Sequence, residues 1–367
     1  MSDNIPFELQ VEIIKRVPVK SLLQFRSVSK QWKSLIDSSE FIADHTLKHS
    51  QQHHHLLVRY TKCFEIKYVS IVDDDSFLRH KFFPTVPPTA KLLTHPRMIA
   101  SSHGLVCLCG FAYDLKKNLI VLWNPSIRKS VEIELPNKLN ALGFGVCPKT
   151  MVPKIVRITR KTNAQVYTLS SGAWRRVSMN LRVPGTGFRF CSYQVVIDGI
   201  IYWITNTISG SCDKLISFDL TSEEFGVIEL QDSLKDPRHL CISKRKESLV
   251  VLNYDKPALV CDVWMMSTKD DRKSLLTKLF TVSFKALDGL LSHRIVEFRK
   301  NGHPIIEYRC GRGDFRETTL EVYEPCTEHS NDIETDSCFM MKRDSFFMTT
   351  SYTESLLLLN HPDSVIH

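Results

Sequence analysis

"VLWNPSIRKSVEIELP", Val121 to Pro136, reads as an apolar strand carrying an aromatic, a short polar turn, and a second strand in which apolar and charged residues alternate. Alternation with period two marks a strand with one buried face. Two stretches align with it, "VYTLSSGAWRRVSMNL" (Val166 to Leu181) and "ISFDLTSEEFGVIELQ" (Ile216 to Gln231). Weaker copies contain "VWMMSTKDDRKSLL" and "VYEPCTEHSNDI". The aromatic that marks each copy is Trp123, Tyr167, Phe218, Trp264 or Tyr323. A hairpin returning at a drifting period of roughly 40 to 50 residues is the pattern of a β-propeller, one four-stranded blade per copy. Five markers and the strands near Tyr60 imply about six blades. A β-sandwich, or two separate β domains, fits the same strands.

Outward from these hairpins the chain stays strand-like from "HLLVRY" onward. "KSLLTKLF" reads as a helix or as a strand with its connections. Asp73 to Asp75 and "FPTVPPT" (Phe83 to Thr89) read as loops, and "CTEHSNDIETDSC" as a loop insertion. Before His55 the periodicity differs. Ile5, Leu9, Ile13 and Val17 recur every four positions, widened by Ile14, which predicts one amphipathic helix. Asp3 and Asn4 can cap it, Pro6 suits its first turn, and Pro18 ends it. Leu22, Leu23 and Phe25 predict a second short helix. Val28, Trp32, Leu35 and Ile36 predict a third, and Phe41, Ile42 and Leu47 a last one. Helices this short are marginal alone, and about 45 residues bury little surface, so a partner is expected to complete them. By pattern alone the same apolar residues fit the internal core of a helical cap equally well.

"IPFELQVEIIKRVPVKSLLQFRSVSKQWKSLIDSSEFIADH" resembles the F-box of plant F-box proteins. The landmarks are Ile5-Pro6, Glu8-Leu9, Glu12, Ile13-Ile14, Arg16, Pro18 to Leu22, Phe25-Arg26, Val28 to Lys30, Trp32, Leu35-Ile36 and Phe41. The sequence has Ile5 and Val17 where the family has leucine. Further on, "SSHGLVCL", "LWNPSIRK", "GFGV", "DGIIYWI" and "LISFDLTSEEF" resemble the F-box-associated region of the same family, most clearly from Ser101 to Leu230. The resemblance implies an α+β multidomain chain: a small helical F-box over residues 1–50, then an all-β, kelch-like propeller over 51–367. It also implies a substrate-recognition subunit of an SCF ubiquitin ligase. Such a subunit binds a Skp-type adaptor, and through it cullin and RING subunits, while the propeller selects the target protein. Adaptor contact falls to Ile5, Pro6, Leu9, Ile13, Val17, Leu22 and Val28, with Trp32 serving the bundle or the interface. A non-degradative interaction module is the alternative. The target is unassigned, and its binding residues are expected on loops at one propeller face, such as Thr150 to Pro153 or Thr186 to Arg189.

Other motifs offer little chemistry. "HHH" (His53 to His55) lacks a metal-ligand frame and reads as a solvated linker, and no Cx2C or HExxH pattern occurs. "GFGV" (Gly143 to Val146) is no phosphate loop; its glycines suit a strand bend. "SSGAW" belongs to a hairpin turn rather than to a nucleophile elbow, and "GRGDF" is a turn. "RITRK", "WRR" and "SKRK" read as solvated edges without a nucleic-acid module. The expectations are no catalytic residue, no metal, no cofactor and no nucleic-acid partner, against the alternative of a propeller enzyme with a helical cap. The eleven cysteines, none spaced CxxC, read as reduced core residues. A net charge of 48 − 40 = +8 is a weak guide to partners. No secretory leader and no span are apparent, "LLLL" (Leu356 to Leu359) being far too short, so the expectation is a soluble protein of cytosol or nucleus.

Overall fold

The computed structural model describes residues 5–49, 54–62, 65–75, 77, 79–136, 141–159, 163–179, 189–206, 214–230, 234, 240–267, 275–312, 315–333, 347–362 and 364–366. Four helices come first: α1 (Phe7–Ile14), α2 (Val19–Phe25), α3 (Lys30–Ile36) and α4 (Ser39–His49). Strands β1 (His54–Lys62), β2 (Glu65–Val72) and β3 (Lys81–Phe82) follow, then a short helix α5 (Pro88–Leu92). The next strands are β4 (Leu93–Ser102), β5 (Leu105–Ala112), β6 (Lys117–Asn124) and β7 (Lys129–Glu134). After them come β8 (Ala141–Val146), β9 (Pro153–Thr159), β10 (Asn163–Thr168) and β11 (Ala173–Ser178). The series continues with β12 (Arg189–Ile197), β13 (Ile200–Asn206), β14 (Lys214–Asp219) and β15 (Phe225–Glu229), then β16 (Leu240–Arg245), β17 (Ser248–Asp255), β18 (Val260–Ser267) and β19 (Leu275–Ser283). It ends with β20 (Leu290–Phe298), β21 (Pro304–Arg312), β22 (Phe315–Glu324), β23 (His329–Asp332), β24 (Met348–Thr353) and β25 (Val365–Ile366).

These strands form six sheets, the blades of a six-bladed propeller. Five run in chain order, β4–β7, β8–β11, β12–β15, β16–β19 and β20–β23, and β25 adds a fifth strand beside β7. The sixth has the order β24-β1-β2-β3, so the first three strands share a sheet with the last but one. The chain divides into two compact units, residues 1–58, 68–136 and 350–367 in one and 59–67 and 137–349 in the other. The helices therefore do not form a unit of their own. In the second unit β12 packs against β8 and β16, and β16 against β20, so the first strand of each blade lies innermost. Apolar residues of adjacent sheets fill the spaces between them, such as Val195, Leu215, Val251 and Met266, which is the usual way sheets hide one face against another.

Every marker aromatic falls on the third strand of its blade: Trp123 on β6, Tyr167 on β10, Phe218 on β14, Trp264 on β18 and Tyr323 on β22. In the remaining blade the third strand is β2, and its aromatic is Tyr68, buried and edge-on to Trp123 at 5.7 Å. The strands near Tyr60, expected to supply a sixth blade, are β1 and β2 of this sheet. Five residues after four of the markers stands a residue with left-handed backbone: Arg128 (φ 55°), Gly172 (φ 64°), Glu223 (φ 61°) and Glu328 (φ 55°). It closes a four-residue hairpin loop in three of them and lies in the five-residue loop between β14 and β15. Asn124 Oδ1 accepts from the Ser126 N–H at 3.0 Å, and Asp219 Oδ1 accepts from the Thr221 N–H at 2.6 Å, which fixes the loop entry. The sequence repeat is thus a repeat of aromatic, turn and fourth strand.

The structure departs from the reading elsewhere. Of the two readings of "KSLLTKLF" the strand holds, its described residues lying in β19, whereas the Phe83–Thr89 loop ends in helix α5, which begins at Pro88. The glycines of "GFGV" serve close approach rather than a bend. A Cβ on Gly143 would collide with the ring of Trp203, and one on Gly145 with Leu220. Trp203 Nε1–H donates to Leu142 O at 3.3 Å, and Gln194 clamps Phe144, accepting from its N–H at 2.7 Å and donating to its carbonyl at 2.8 Å. Strands β8 and β12–β13 are held by these contacts, which need a bare backbone at residue 143. Gly143→Ala should therefore cost about 1–3 kcal/mol through overpacking against a buried tryptophan, read as a lowered urea midpoint of unfolding.

Candidate docking site

Each N-terminal helix is short, and side chains at their ends settle the entries and exits. Pro6 stands at the N-cap of α1, its carbonyl accepting from the Leu9 and Gln10 N–H groups at 3.0 and 3.1 Å. Asp3 and Asn4, the expected caps, lie outside the described residues. Helix α1 ends at Ile14, earlier than predicted, and Pro18 caps α2. Ser29 caps α3, its hydroxyl accepting from the Trp32 N–H at 3.1 Å, so Val28 sits in the turn before α3 and not on it. A side-chain cap such as Ser29 stabilises a helix by about 1 kcal/mol.

The bundle core consists of Ile14, Val19, Leu22, Ile36, Phe41 and Ile42. Helix α4 buries His45, Thr46 and His49 as well, while Leu47, expected inside, is exposed. His45 Nε2–H donates to Val17 O at 2.9 Å and His49 Nε2–H to Lys15 O at 3.0 Å, with the rings stacked 4.1 Å apart. The two histidines thereby satisfy carbonyls freed at the end of α1, a task the sequence pattern did not disclose. Burial, with the charge of His49 as a lesser cause, pushes His45 down to about 4 against the Val17 hydrogen bond. Around this core Lys15 pairs with Glu12 (3.1 Å) and Asp44 (2.9 Å), and Arg26 forks onto Asp37 (2.6 and 2.8 Å).

Most of the sequence-predicted contact residues lie outside this core. Leu9 is 56 %, Ile13 57 % and Val28 66 % exposed, and Ile5 and Pro6 are exposed with them. Leu9 and Ile13 are one helical turn apart and share a face. Val17 is half-buried. Trp32 is half-buried too, edge-on to Phe25 at 5.4 Å, so it stiffens the α2–α3 joint while keeping part of its surface open. Leu22 is the correction: it is 0 % exposed and belongs to the core, because the i, i+3 positions of α2, Val19 and Leu22, both face inward.

Behind the bundle lies the C-terminal segment. Asn360 Nδ2 donates to Asp37 O and Ser39 Oγ, both at 3.2 Å. Lys129 donates to Leu359 O (2.7 Å) and Ser364 Oγ (2.8 Å), and the buried Asn124 donates to Ser355 O (3.0 Å) and Leu357 O (2.8 Å). Burial, then the nearby Arg26, lowers the Lys129 ammonium, while Asp37 opposes this. "LLLL" is thus a buried strap between the helices and the turn joining β6 to β7.

The remaining motifs are structural where described. His53 lies outside the described residues. His54 and His55 belong to β1 rather than to a solvated linker, and His55 stacks on Tyr352 at 5.1 Å. Arg245 lies over Phe280 and donates to Gly302 O at 3.1 Å, and Arg175 pairs with Glu223, so "SKRK" and "WRR" are partly committed. Arg157 of "RITRK" is buried; Arg160 and Lys161 lie outside the described residues. Cys107, Cys109, Cys147 and Cys261 are buried and Cys326 is exposed; burial raises the thiols of Cys107, Cys109 and Cys261. Among the described residues no group of three or more His, Cys, Asp or Glu is placed to hold a metal, and no helix is long and apolar enough to cross a membrane. Residues 150–153 follow the first strand of a blade, whereas Arg189 opens the first strand of the next, at the other end; residues 186–188 lie outside the described set.

Two family models match the chain. The F-box domain covers residues 2–44, and the F-box associated beta propeller domain covers residues 66–308, more than half of the chain. The chain belongs to the plant F-box proteins with an associated β-propeller. Similar Arabidopsis thaliana proteins include the putative F-box protein At3g52320, 31% identical over 62% of this chain and 60% of that one. Another is the putative F-box protein At1g32420, 26% identical over 74% of this chain and 88% of that one. The chain thus spans less than two thirds of the first relative. A manganese-bound oligogalacturonate lyase shares a TM-score of 0.41 at 13% identity, over 76% of this chain and 72% of that one, a likeness that says nothing of chemistry.

Two outcomes follow for this F-box. Leu22→Ala should cost about 2–5 kcal/mol, whereas Leu9→Ala should change stability by about 0.5 kcal/mol or less, read from chemical unfolding. The unfolded chain binds a proton at His45 between its ordinary 6.5 and the folded value of about 4. Stability should therefore fall as pH drops through that window, by up to about 3 kcal/mol. Amide exchange in α4 measured between the two pH limits checks this, and His45→Gln should flatten the dependence.

Proposed function

We propose that this protein is the substrate receptor of an SCF ubiquitin ligase in the cytosol or nucleus, its F-box holding a Skp-type adaptor and its propeller a target protein. The observation that carries the reading is the apolar set Ile5, Leu9, Ile13 and Val28, left exposed by a bundle that already has its own core. Large apolar side chains gathered on short helices are the usual material of a helix-in-groove contact, and their desolvation supplies the affinity. The cap pattern at Pro6 and Ser29 holds them in place before any partner arrives, which lowers the ordering cost of association.

In this reading the chain performs no bond chemistry. Bound at one end to the ligase and at the other to a target, it raises the effective concentration of target lysines near a charged conjugating enzyme. The strap of Ser355 to Asn360 between F-box and blade supports such a role, because a rigid joint limits the volume searched.

Substitution of exposed contacts tests this without unfolding the bundle. Leu9→Asp and Val28→Asp should each weaken capture of a Skp-type adaptor by about thirty-fold or more, the scale of a buried hot-spot residue, with an unchanged melting curve. Adaptor capture at the wild-type level by the double variant would end the assignment.

A further inference from the structure

We propose that the end of the β4–β7 blade remote from the F-box is a docking surface for an acidic segment of the target that carries an aliphatic or aromatic side chain. This rests on the receptor reading above and names the chemistry of the partner. Strand β5 ends at Ala112, and Tyr113, Asp114, Leu115 and Lys116 turn the chain into β6, closed by the Lys116 N–H donating to Tyr113 O at 3.1 Å. Ala112 pairs with Leu93, which places Leu92 at the same strand end as Tyr113. Tyr113 is 68 % exposed, Leu92 and Leu115 are exposed too, and Phe111 stands edge-on to Tyr113 at 5.0 Å. Single apolar residues in water are ordinary, but such a group at one strand end marks a contact surface.

The charges there choose the partner. Lys91, Arg97 and Lys116 are exposed on the three segments that meet at this end, which carry one exposed carboxylate, Asp114; Glu132, bonded by Thr89 of α5, and Glu134 are exposed on β7. The neighbouring Lys117 is neutralised by Glu134 at 2.6 Å. His95, in left-handed backbone at φ 47°, occupies the bulge between Thr94 and Arg97, which re-aims this stretch of β4. A positive rim around aromatic and aliphatic side chains attracts acidic sequence and repels basic sequence. Geometry agrees. The opposite end of this blade, the β6–β7 turn, holds the strap and the F-box helices. Along an eight-residue strand such as β5 the two ends are separated by roughly 27 Å. An occupant at Tyr113 leaves the adaptor-facing residues uncovered. From β8 onward, the exposed large apolar residues among those described, Val227, Leu275, Leu291 and Val365, stand on four different strands and gather at no such end.

A random-sequence peptide library displayed on phage and selected on the immobilised full-length protein tests this, with capture of the Skp-type adaptor read separately on each variant. Recovered peptides should be enriched in Asp and Glu flanking Leu, Ile or Phe. Recovery should fall by about ten-fold or more with Tyr113→Ser plus Leu115→Ser, and likewise with Lys91→Glu plus Lys116→Glu. Adaptor capture and melting temperature should stay at wild-type levels, since all four residues are exposed. Recovery of nothing, of peptides without acidic enrichment, or of the same pool by both double variants overturns the docking surface. Failure of the wild type to capture the adaptor instead overturns the receptor reading and leaves the peptide result standing.

Discussion

Asn124 is buried, and its amide shares its protons among Ser355 O, Ser355 Oγ and Leu357 O while its Oδ1 accepts from the Ser126 N–H. One side chain thus shapes a blade turn and holds the chain's C-terminal segment against it. That segment supplies β24 to the sheet that also contains β1, β25 to the edge of β7, and Asn360 to the F-box. An amide that left these carbonyls unpaired would cost about 1–3 kcal/mol for each buried group. The F-box helices have a small core, and Asn360 ties the junction of α3 and α4 to this segment through Asp37 O and Ser39 Oγ.

The blades are built by a simpler rule. An aromatic on the third strand, a short loop and a left-handed residue recur with little change, and side-chain oxygens of Asn124 and Asp219 seed two of the loops. Local chemistry of this kind lets each hairpin form largely from its own residues. Packing between blades is less regular. Gly143 admits Trp203 and Gly145 admits Leu220, contacts made by residues far apart in the chain. A protein made this way tolerates variation at its loops while its strands stay in register.

The six-blade count and the helical N-terminus were legible because each rests on a short-range signal: period two, period four, or a turn. The sixth blade carried no marker in the sequence reading since β2 lacks the aromatic-turn-strand sequence, its partner β3 being only two residues long. Leu22 was assigned to the interface because its spacing from neighbouring apolar residues does not tell inward from outward on a seven-residue helix. The histidines of α4 were passed over for a related reason. A His on an apolar stripe looks like an interruption until the carbonyls of Lys15 and Val17 are seen beneath it.

The amino-acid sequence by itself determined where the chain turns, which residues alternate and how often the pattern repeats, since these follow from backbone sterics and the hydrophobicity of neighbours. Its motifs also carried the family. Tertiary packing decided which apolar residues remain in water and which glycines are obligatory. It also brought the C-terminal segment between the helices and the blade. Those outcomes depend on contacts between residues hundreds of positions apart, Asn124 with Leu357 and Asp37 with Asn360 among them, and no local pattern encodes which distant partner a side chain will meet.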